Sequence, residues 1–186
     1  MFYLVLAFLK FFENQNNNKP KLFIFYLGGK IDKCNIEIHD VIFVIGQTDI
    51  EIANKIKEKW IGNPKSFHID SWFMIENIDG FEIEVNQGKI KPTPNSLFFF
   101  NLGYYLQDNF CESHFMTLTV AKSRAEAIKI ARNKLFANHQ MLHTDNIYDI
   151  DECIKLEQIS NYYISLKYTG NTKPNVINNG YQKLSN

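Results

Sequence analysis

Histidine and carboxylate residues recur at short, regular spacings in this sequence of 186 residues. Glu37-Ile38-His39 and His68-Ile69-Asp70 are matched 75 residues later by Glu112-Ser113-His114 and His143-Thr144-Asp145. Because side chains alternate along a β-strand, each pattern would place its imidazole and carboxylate on one face, about 7 Å apart. If the second and third strands of a unit were neighbours, about 5 Å apart, they would gather two imidazoles and two carboxylates at one point.

Such a group of side chains has the donor atoms of a metal site. Imidazole and carboxylate ligands suit Zn, Mn or Fe. They also suit general acid–base chemistry, because histidine titrates near neutral pH. The sequence therefore predicts a candidate metal or polar cluster that occurs once in each unit. Its candidate residues are Glu37, His39, His68 and Asp70, with their counterparts Glu112, His114, His143 and Asp145.

A structural role is the alternative for the same residues. His39 and His114 share their predicted strand faces with apolar residues such as Phe43 and Leu118, so both imidazoles are expected in the core. A buried imidazole needs partners for its ring nitrogens, and a nearby carboxylate or backbone group supplies them. The spacing differs from known ligand motifs such as H-E-x-x-H. The sequence thus favours the structural role and predicts no cofactor, with a divalent metal as the alternative.

The elements that would position these residues also occur twice. The apolar run Leu22 to Leu27 precedes Gly28-Gly29, and 75 residues later Leu97 to Leu102 precedes Gly103. Self-similarity at a fixed spacing indicates a duplicated structural unit. Each run is typical of a buried strand, ended by glycine.

The rest of the first unit predicts strand, helix, strand and strand. Cys34 to Ile45 is the second strand, and Thr48 with Glu51 forms a capping box that begins a helix. Its apolar face is predicted to consist of Ile50, Ala53, Ile56 and Trp60. A third strand spans His68 to Ile78, and Asp79-Gly80 predicts a hairpin into a last strand from Phe81 to Val85.

The second unit repeats this order. Ser123 and Glu126 form its capping box, and His143 to Ile150 matches the third strand. Its helix face is predicted to consist of Ala125, Ile128, Ala131 and Leu135. The last strand, Tyr162 to Leu166, follows its counterpart by 81 residues, so about six extra residues are placed just before it.

The predicted fold is α+β: a tandem duplication of a strand-strand-helix-strand-strand unit, with the two units packed in pseudo-twofold symmetry. One unit alone has a marginal core, so the units should pack together. Residues 1–20 are predicted to be an N-terminal extension outside the core, residues 21–90 unit 1, residues 91–167 unit 2, and residues 168–186 a polar, mobile C-terminal tail.

Composition limits the classes of partner. Lys and Arg total 20, as do Asp and Glu, and this zero net charge indicates neither nucleic-acid nor membrane-surface binding. The apolar segment Met1 to Phe12 is shorter than the roughly 20 residues of a membrane span, and it lacks a signal peptide's features. The three cysteines, Cys34, Cys111 and Cys153, form no C-x-x-C pair, which is typical of reduced thiols in the cytoplasm. A protein partner or self-association stays open.

Several motifs in order resemble a known bacterial family. LFIFYLGG, IEIHDVIFVIG, HIDSW and IDGFEIEV are similar to domain of unknown function 1543, whose members carry one or two copies of the unit. FFFNLGYYLQDNFCESHF and VAKSRAEA resemble a second copy. The resemblance spans Lys21 to Leu166 and implies a tandem pair. The family has no established activity, so the resemblance transfers no catalytic residue.

Two functions follow from these observations. The preferred one is a small, non-enzymatic binding or interaction module. The alternative is a metal-binding protein or metal-dependent enzyme that uses the repeated E-x-H and H-x-D pairs. The sequence leaves enzymatic activity undecided.

Overall fold

The computed structural model describes residues 19–88, 93–138 and 147–183. Unit 1 contains β1 (Lys21–Gly29), β2 (Ile38–Gly46), α1 (Asp49–Lys59), β3 (His68–Met74), β4 (Asn77–Ile78) and β5 (Gly80–Gln87). Unit 2 contains β6 (Ser96–Tyr104), β7 (Ser113–Ala121), α2 (Arg124–Asn138), β8 (Ile147–Leu156), β9 (Gln158–Ile159) and β10 (Tyr162–Asn171), followed by β11 (Asn178–Lys183). The two units therefore repeat one order of strands and a helix, which confirms the predicted α+β duplication.

The strands form three sheets. The unit-1 sheet has the order β11-β3-β1-β2, and the unit-2 sheet has the order β7-β6-β8. A third sheet, β4-β5-β10-β9, combines strands of both units. Each helix packs on one face of its own unit's sheet, and the other faces meet in a shared core.

The first strand of unit 1 is apolar throughout because both of its faces are buried. Phe23, Phe25 and Leu27 belong to the core beneath α1. Leu22 and Ile24 face the opposite way, into the core that the two units share. Alternation along the strand thus divides one hydrophobic run between two cores.

The two helices begin where their capping residues predict. The Thr48 hydroxyl accepts a hydrogen bond of 3.2 Å from the Glu51 amide, and Ser123 accepts one of 3.2 Å from Glu126. Each glutamate in turn accepts from the amide of the residue before the cap, at 2.8 and 2.9 Å. These bonds satisfy backbone donors that would otherwise lack partners in the first turn.

The buried helix faces differ from the prediction in the first turn. Ile52, Ala53 and Ile56 are buried on α1, whereas the predicted Ile50 is 56% exposed. Residues two apart on a helix point about 200° apart, so a face centred on Ile52 turns Ile50 to solvent. The same correction applies to Ala125 of α2, which is exposed while Ala127, Ala131 and Leu135 are buried.

The Asp79-Gly80 turn joins β4 to β5 as predicted. Both residues have positive φ angles, 51° and 82°, as a two-residue hairpin turn of this kind requires. The Asp79 carboxylate then reaches the other unit, where it accepts from the Val120 amide at 2.9 Å and from Lys134 Nζ at 2.6 Å. A turn of unit 1 is thereby tied to unit 2.

The two units are joined most directly by the antiparallel ladder between β5 and β10. Its central pairs are Glu84–Ser165, Val85–Ile164 and Ile83–Leu166. Moving each residue to its counterpart 81 positions away in the other unit maps these pairs onto one another, with Glu84–Ser165 at the centre. The ladder therefore lies on the predicted pseudo-twofold axis. Phe43 and Phe99 meet edge to face nearby, with ring centroids 5.2 Å apart.

The pairing of the third strands, β3 and β8, corrects the predicted residue-by-residue match between the two units. On β1, Gly28 lies opposite His68 of β3, whereas on β6, Gly103 lies opposite Asp149 of β8. The counterpart of His68 is therefore Asp149, at a spacing of 81 residues, and the predicted match to His143 is wrong. The extra residues precede the third strand of unit 2 instead of following it. His143 and Asp145 lie outside the described residues.

The C-terminal segment also differs from the predicted mobile tail. The strand β10 continues to Asn171, and β11 pairs antiparallel with the outer edge of β3. Residues 1–18, which contain most of the predicted N-terminal extension, lie outside the described residues. Within the described part of the chain, no helix has both the length and the apolar character that crossing a membrane demands.

Candidate metal centre

The unit-1 candidates gather above Gly28, a residue without a side chain. On one side of β1, Gly28 pairs with His39 of β2, and on the other side it pairs with His68 of β3. A Cβ atom at Gly28 would lie 2.6 Å from His68 Nε2, 2.8 Å from Asp70 Oδ2 and 3.0 Å from His39 Nε2. Only glycine leaves this space to the three polar groups.

A β-bulge places Asp70 beside the two histidines. Tyr26 pairs with Ser71 and Leu27 pairs with Ile69, so Asp70 has no partner on β1. The extra residue turns Asp70 toward His68, while Ile69 stays in the core beneath α1. Bulges commonly redirect a side chain in this way beside functional sites.

Glu37, His39, His68 and Asp70 form a single cluster, here called the unit-1 cluster. His68 Nε2 lies 3.2 Å from Asp70 Oδ1 and 3.9 Å from Glu37 Oε2. His39 Nε2 lies 3.4 Å from Asp70 Oδ2 and 3.6 Å from Glu37 Oε1. The same ring nitrogen of each histidine thus points at the same two carboxylates.

The unit-1 cluster is deep at one end and open at the other. The His68 side chain is 3% exposed, whereas those of His39 and Glu37 are 35% and 45% exposed. The expectation that His39 lies in the core is therefore wrong. His39 occupies the outer end of β2, beyond the buried Phe43 and Ile45 on the same face.

Two buried polar atoms of the cluster lack hydrogen bonds within the described part of the chain. They are Nδ1 of His68 and Oδ2 of Asp70. Oδ2 lies within ion-pair distance of His39 Nε2, but the geometry is not that of a hydrogen bond. Such orphaned atoms are uncommon in folded proteins. An ion in the cluster would give Asp70 Oδ2 a partner, whereas ligation through Nε2 leaves His68 Nδ1 without one among the described residues.

Aromatic rings cover both histidines. The Tyr26 ring stacks on His39, with centroids 5.0 Å apart and planes 9° apart. Burial, followed by the negative charge of Asp70, raises the pKa of the Tyr26 hydroxyl above its ordinary value. On the other side, the Tyr181 ring of β11 lies 4.1 Å from that of His68. The two rings restrict how the imidazoles can turn.

Unit 2 carries a related cluster of Glu112, His114 and Asp151, here called the unit-2 cluster. His114 Nδ1 lies 3.0 Å from Asp151 Oδ2, and His114 Nε2 lies 3.9 Å from Glu112 Oε2. A Cβ at Gly103 would lie 2.5 Å from Glu112 Oε1 and 2.9 Å from Asp151 Oδ2. The His114 side chain is 40% exposed, so its predicted place in the core is also wrong.

The same bulge positions Asp151. Asn101 pairs with Glu152 and Leu102 pairs with Ile150, which leaves Asp151 without a partner on β6. Sequence reasoning missed this residue because it chose the H-x-D match at His143. The signal was present in Asp149-Ile150-Asp151, which matches His68-Ile69-Asp70 at the spacing of 81 already needed for the last strand.

The distances within the unit-1 cluster are close to those in the shell around one cation, whereas the two carboxylates of the unit-2 cluster face different nitrogens of His114. Ligands bound at about 2.1 Å in tetrahedral or octahedral geometry are about 3–3.5 Å from their neighbours. One donor atom from each of Glu37, His39 and His68 lies within 4.8 Å of the others, and the same is true of the unit-2 cluster. Small movements would bring either set onto a divalent ion.

The protein is thus a tandem α+β duplication with one cluster of histidine and carboxylate side chains in each unit. The family described as Domain of Unknown Function (DUF1543) matches residues 34–85 and 109–166, and the chain belongs to this family. Its fold is similar to that in the crystal structure of a protein Il1583 from Idiomarina loihiensis, at 30% sequence identity and a TM-score of 0.70. That similarity covers 90% of this chain and 99% of the other. Among curated proteins, no sequence matches this chain.

Proposed function

We propose that this protein binds a divalent transition metal, with Zn²⁺ as the reference ion, through the unit-1 cluster. The observation that carries the proposal is the convergence of two imidazoles and two carboxylates above Gly28. Two imidazoles with carboxylates form a typical donor set for Zn²⁺.

Mutual pairing among the four side chains is a poor alternative. A neutral imidazole donates from one nitrogen and accepts at the other. In such a pairing His68 donates from Nε2 to Asp70 Oδ1, and the buried Asp70 Oδ2 is left without a donor among the described residues. Unpaired buried polar groups are costly. A metal ion would give Asp70 Oδ2 a partner.

Electrostatics support the same conclusion. When both imidazoles are neutral, as metal ligation requires, Glu37 and Asp70 give the cluster a formal charge of −2. Both carboxylates lie within 4 Å of the same two ring nitrogens, so their charges repel at short range. A divalent cation would neutralise both charges at once.

The compartment we propose is the bacterial cytoplasm. Cys34 and Cys111 are exposed free thiols, and Cys153 is also free. Exposed unpaired thiols persist more readily in a reducing compartment than in an oxidising one.

Thermal unfolding with chelator and with Zn²⁺ tests the metal proposal. A ligand at 100 times its Kd adds about 2.7 kcal/mol of stability, which corresponds to about 5–10 °C for a chain of this size. We expect that gain for the wild type and less than half of it for His39→Ala. His39 is partly exposed, so its removal should disturb the metal-free fold little.

Glu58→Gln is the matched control, since it removes an exposed carboxylate on α1 outside the cluster. This variant should keep the full gain with Zn²⁺. The proposal fails if the wild type melts at one temperature with chelator and with Zn²⁺. It also fails if His39→Ala gains as much as the wild type.

A further inference from the structure

We infer that the unit-2 cluster is a second divalent-cation site, whose preference is shifted toward the harder ion Mn²⁺ relative to the unit-1 cluster. The inference goes beyond the proposed function and does not depend on it. It rests on side chains that lie in the other unit, above a different glycine.

Two features of the backbone make room for the unit-2 cluster: a glycine on β6 and a bulge on β8. Any side chain at Gly103 would collide with the carboxylates of Glu112 and Asp151. The bulge on β8 removes Asp151 from the ladder, and its Oδ2 lies 3.0 Å from His114. Two backbone features, the space above Gly103 and the bulge at Asp151, therefore accompany the approach of these three side chains.

The donor set of the unit-2 cluster lacks the second imidazole that unit 1 has. The residue opposite Gly103 is Asp149, where unit 1 has His68 opposite Gly28. The unit-2 cluster therefore has one imidazole and two carboxylates, whereas the unit-1 cluster has two of each. Oxygen-rich sites favour hard ions such as Mn²⁺, and added imidazole favours Zn²⁺.

The unit-2 cluster also lacks a deeply buried member, unlike the unit-1 cluster. The side chains of Glu112, His114 and Asp151 are 31%, 40% and 32% exposed, so all three border solvent. The unit-1 cluster instead contains a histidine at 3% exposure beneath Tyr181. An open site leaves room for the water ligands that complete six-coordinate geometry, which Mn²⁺ favours with oxygen ligands.

Electron paramagnetic resonance of Mn²⁺ tests this site, because binding weakens the six-line signal of the free ion. We expect the metal-free wild type to bind about one Mn²⁺. His114→Ala and the isosteric Asp151→Asn should each weaken Mn²⁺ binding roughly ten-fold or more. His39→Ala, at the matching position of unit 1, should bind Mn²⁺ like the wild type. Circular dichroism in chelator checks that each variant is folded.

A comparison of Kd values tests the predicted preference of the unit-2 cluster for Mn²⁺ over Zn²⁺, relative to the unit-1 cluster. The ratio of the Kd for Mn²⁺ to the Kd for Zn²⁺ should be roughly ten-fold lower in His39→Ala, which keeps the unit-2 cluster, than in His114→Ala, which keeps the unit-1 cluster. Equal ratios would overturn the preference. The site itself is overturned if the metal-free wild type leaves Mn²⁺ free, or if both unit-2 variants bind Mn²⁺ normally. Loss of the His39-dependent gain with Zn²⁺ would remove the proposed function while leaving this site intact.

Discussion

Gly28 leaves the space that the unit-1 cluster occupies, although it contributes no donor atom. The nitrogens of two histidines and a carboxylate oxygen lie within 3.0 Å of where its Cβ would be. The clashing atoms are the ends of side chains, so they can move aside at a cost of about 1–3 kcal/mol. Moving them destroys the arrangement that a metal needs, which makes Gly28 a sensitive probe of function.

We predict that Gly28→Ala lowers stability modestly and abolishes most of the stabilisation by Zn²⁺. Isothermal titration calorimetry with Zn²⁺ and a thermal melt in chelator measure the two effects. Gly103→Ala is the reciprocal control, since it should retain the Zn²⁺ response of the unit-1 cluster. Wild-type Zn²⁺ affinity in Gly28→Ala would show that the space above this residue is not the binding site.

The residue-level predictions from sequence succeeded where the geometry is local. Glu37 directly precedes β2, and its carboxylate lies beside His39, two residues later, as the E-x-H spacing predicted. The H-x-D spacing predicted Asp70 beside His68, but not the bulge that leaves Asp70 without a partner on β1. The depth of His39 was mispredicted, because a strand's apolar face says nothing about where along its length the core ends.

At the scale of elements, β11 matters because it covers the unit-1 cluster. It pairs with the outer edge of β3, and its Tyr181 lies against the ring of His68. Within the described residues, His68 Nδ1 has no hydrogen bond, so ring contact is what we expect to hold this imidazole in place. A metal ligand that is free to turn binds more weakly than one that is held.

Tyr181→Ala should therefore weaken Zn²⁺ binding several-fold while leaving the fold intact. Tyr181 is 61% exposed, so its removal takes little from the core. Tyr168→Ala is the matched control: Tyr168 is 70% exposed and packs on Phe81. Calorimetric titration of both variants separates the effects, and equal Zn²⁺ affinities would contradict a positioning role for Tyr181.

Element boundaries could be predicted where capping and turn chemistry is local. Thr48 and Ser123 marked both helix starts, and Asp79-Gly80 marked the hairpin. The strand β11 could not be predicted, because its Asn-rich sequence has no periodicity. This strand is held in place by pairing with β3. The preceding Asn175 side chain also hydrogen-bonds to the backbone of Glu76 and Asn77. Contacts of this kind depend on the tertiary fold.

At the scale of the whole molecule, the duplication explains both the accuracy and the error of the sequence prediction. A constant spacing identified the two units and their shared order of elements. The same constancy, extended too far, assigned His143 and Asp145 to the third strand of unit 2. The register of β8 on β6 corrects this, because strand pairing, unlike sequence similarity, fixes which residue faces Gly103.

The duplication also gives the molecule two clusters in equivalent places with different donors. The units share one core and the β5–β10 ladder, so neither cluster belongs to a separately folded body. Asp149 stands opposite Gly103 where His68 stands opposite Gly28, so the unit-2 cluster lacks the second imidazole of the unit-1 cluster. The duplication thus places two different sets of donor atoms on one scaffold.

The most direct test of metal binding by the unit-1 cluster is an anomalous-difference map from crystals grown with one equivalent of Zn²⁺ and measured at the zinc absorption edge. We expect a strong peak above Gly28, about 2.1 Å from Nε2 of both His39 and His68 and within bonding distance of Glu37 or Asp70. A map without a peak there, with the four side chains hydrogen-bonded only to one another or to water, would contradict metal binding at this site.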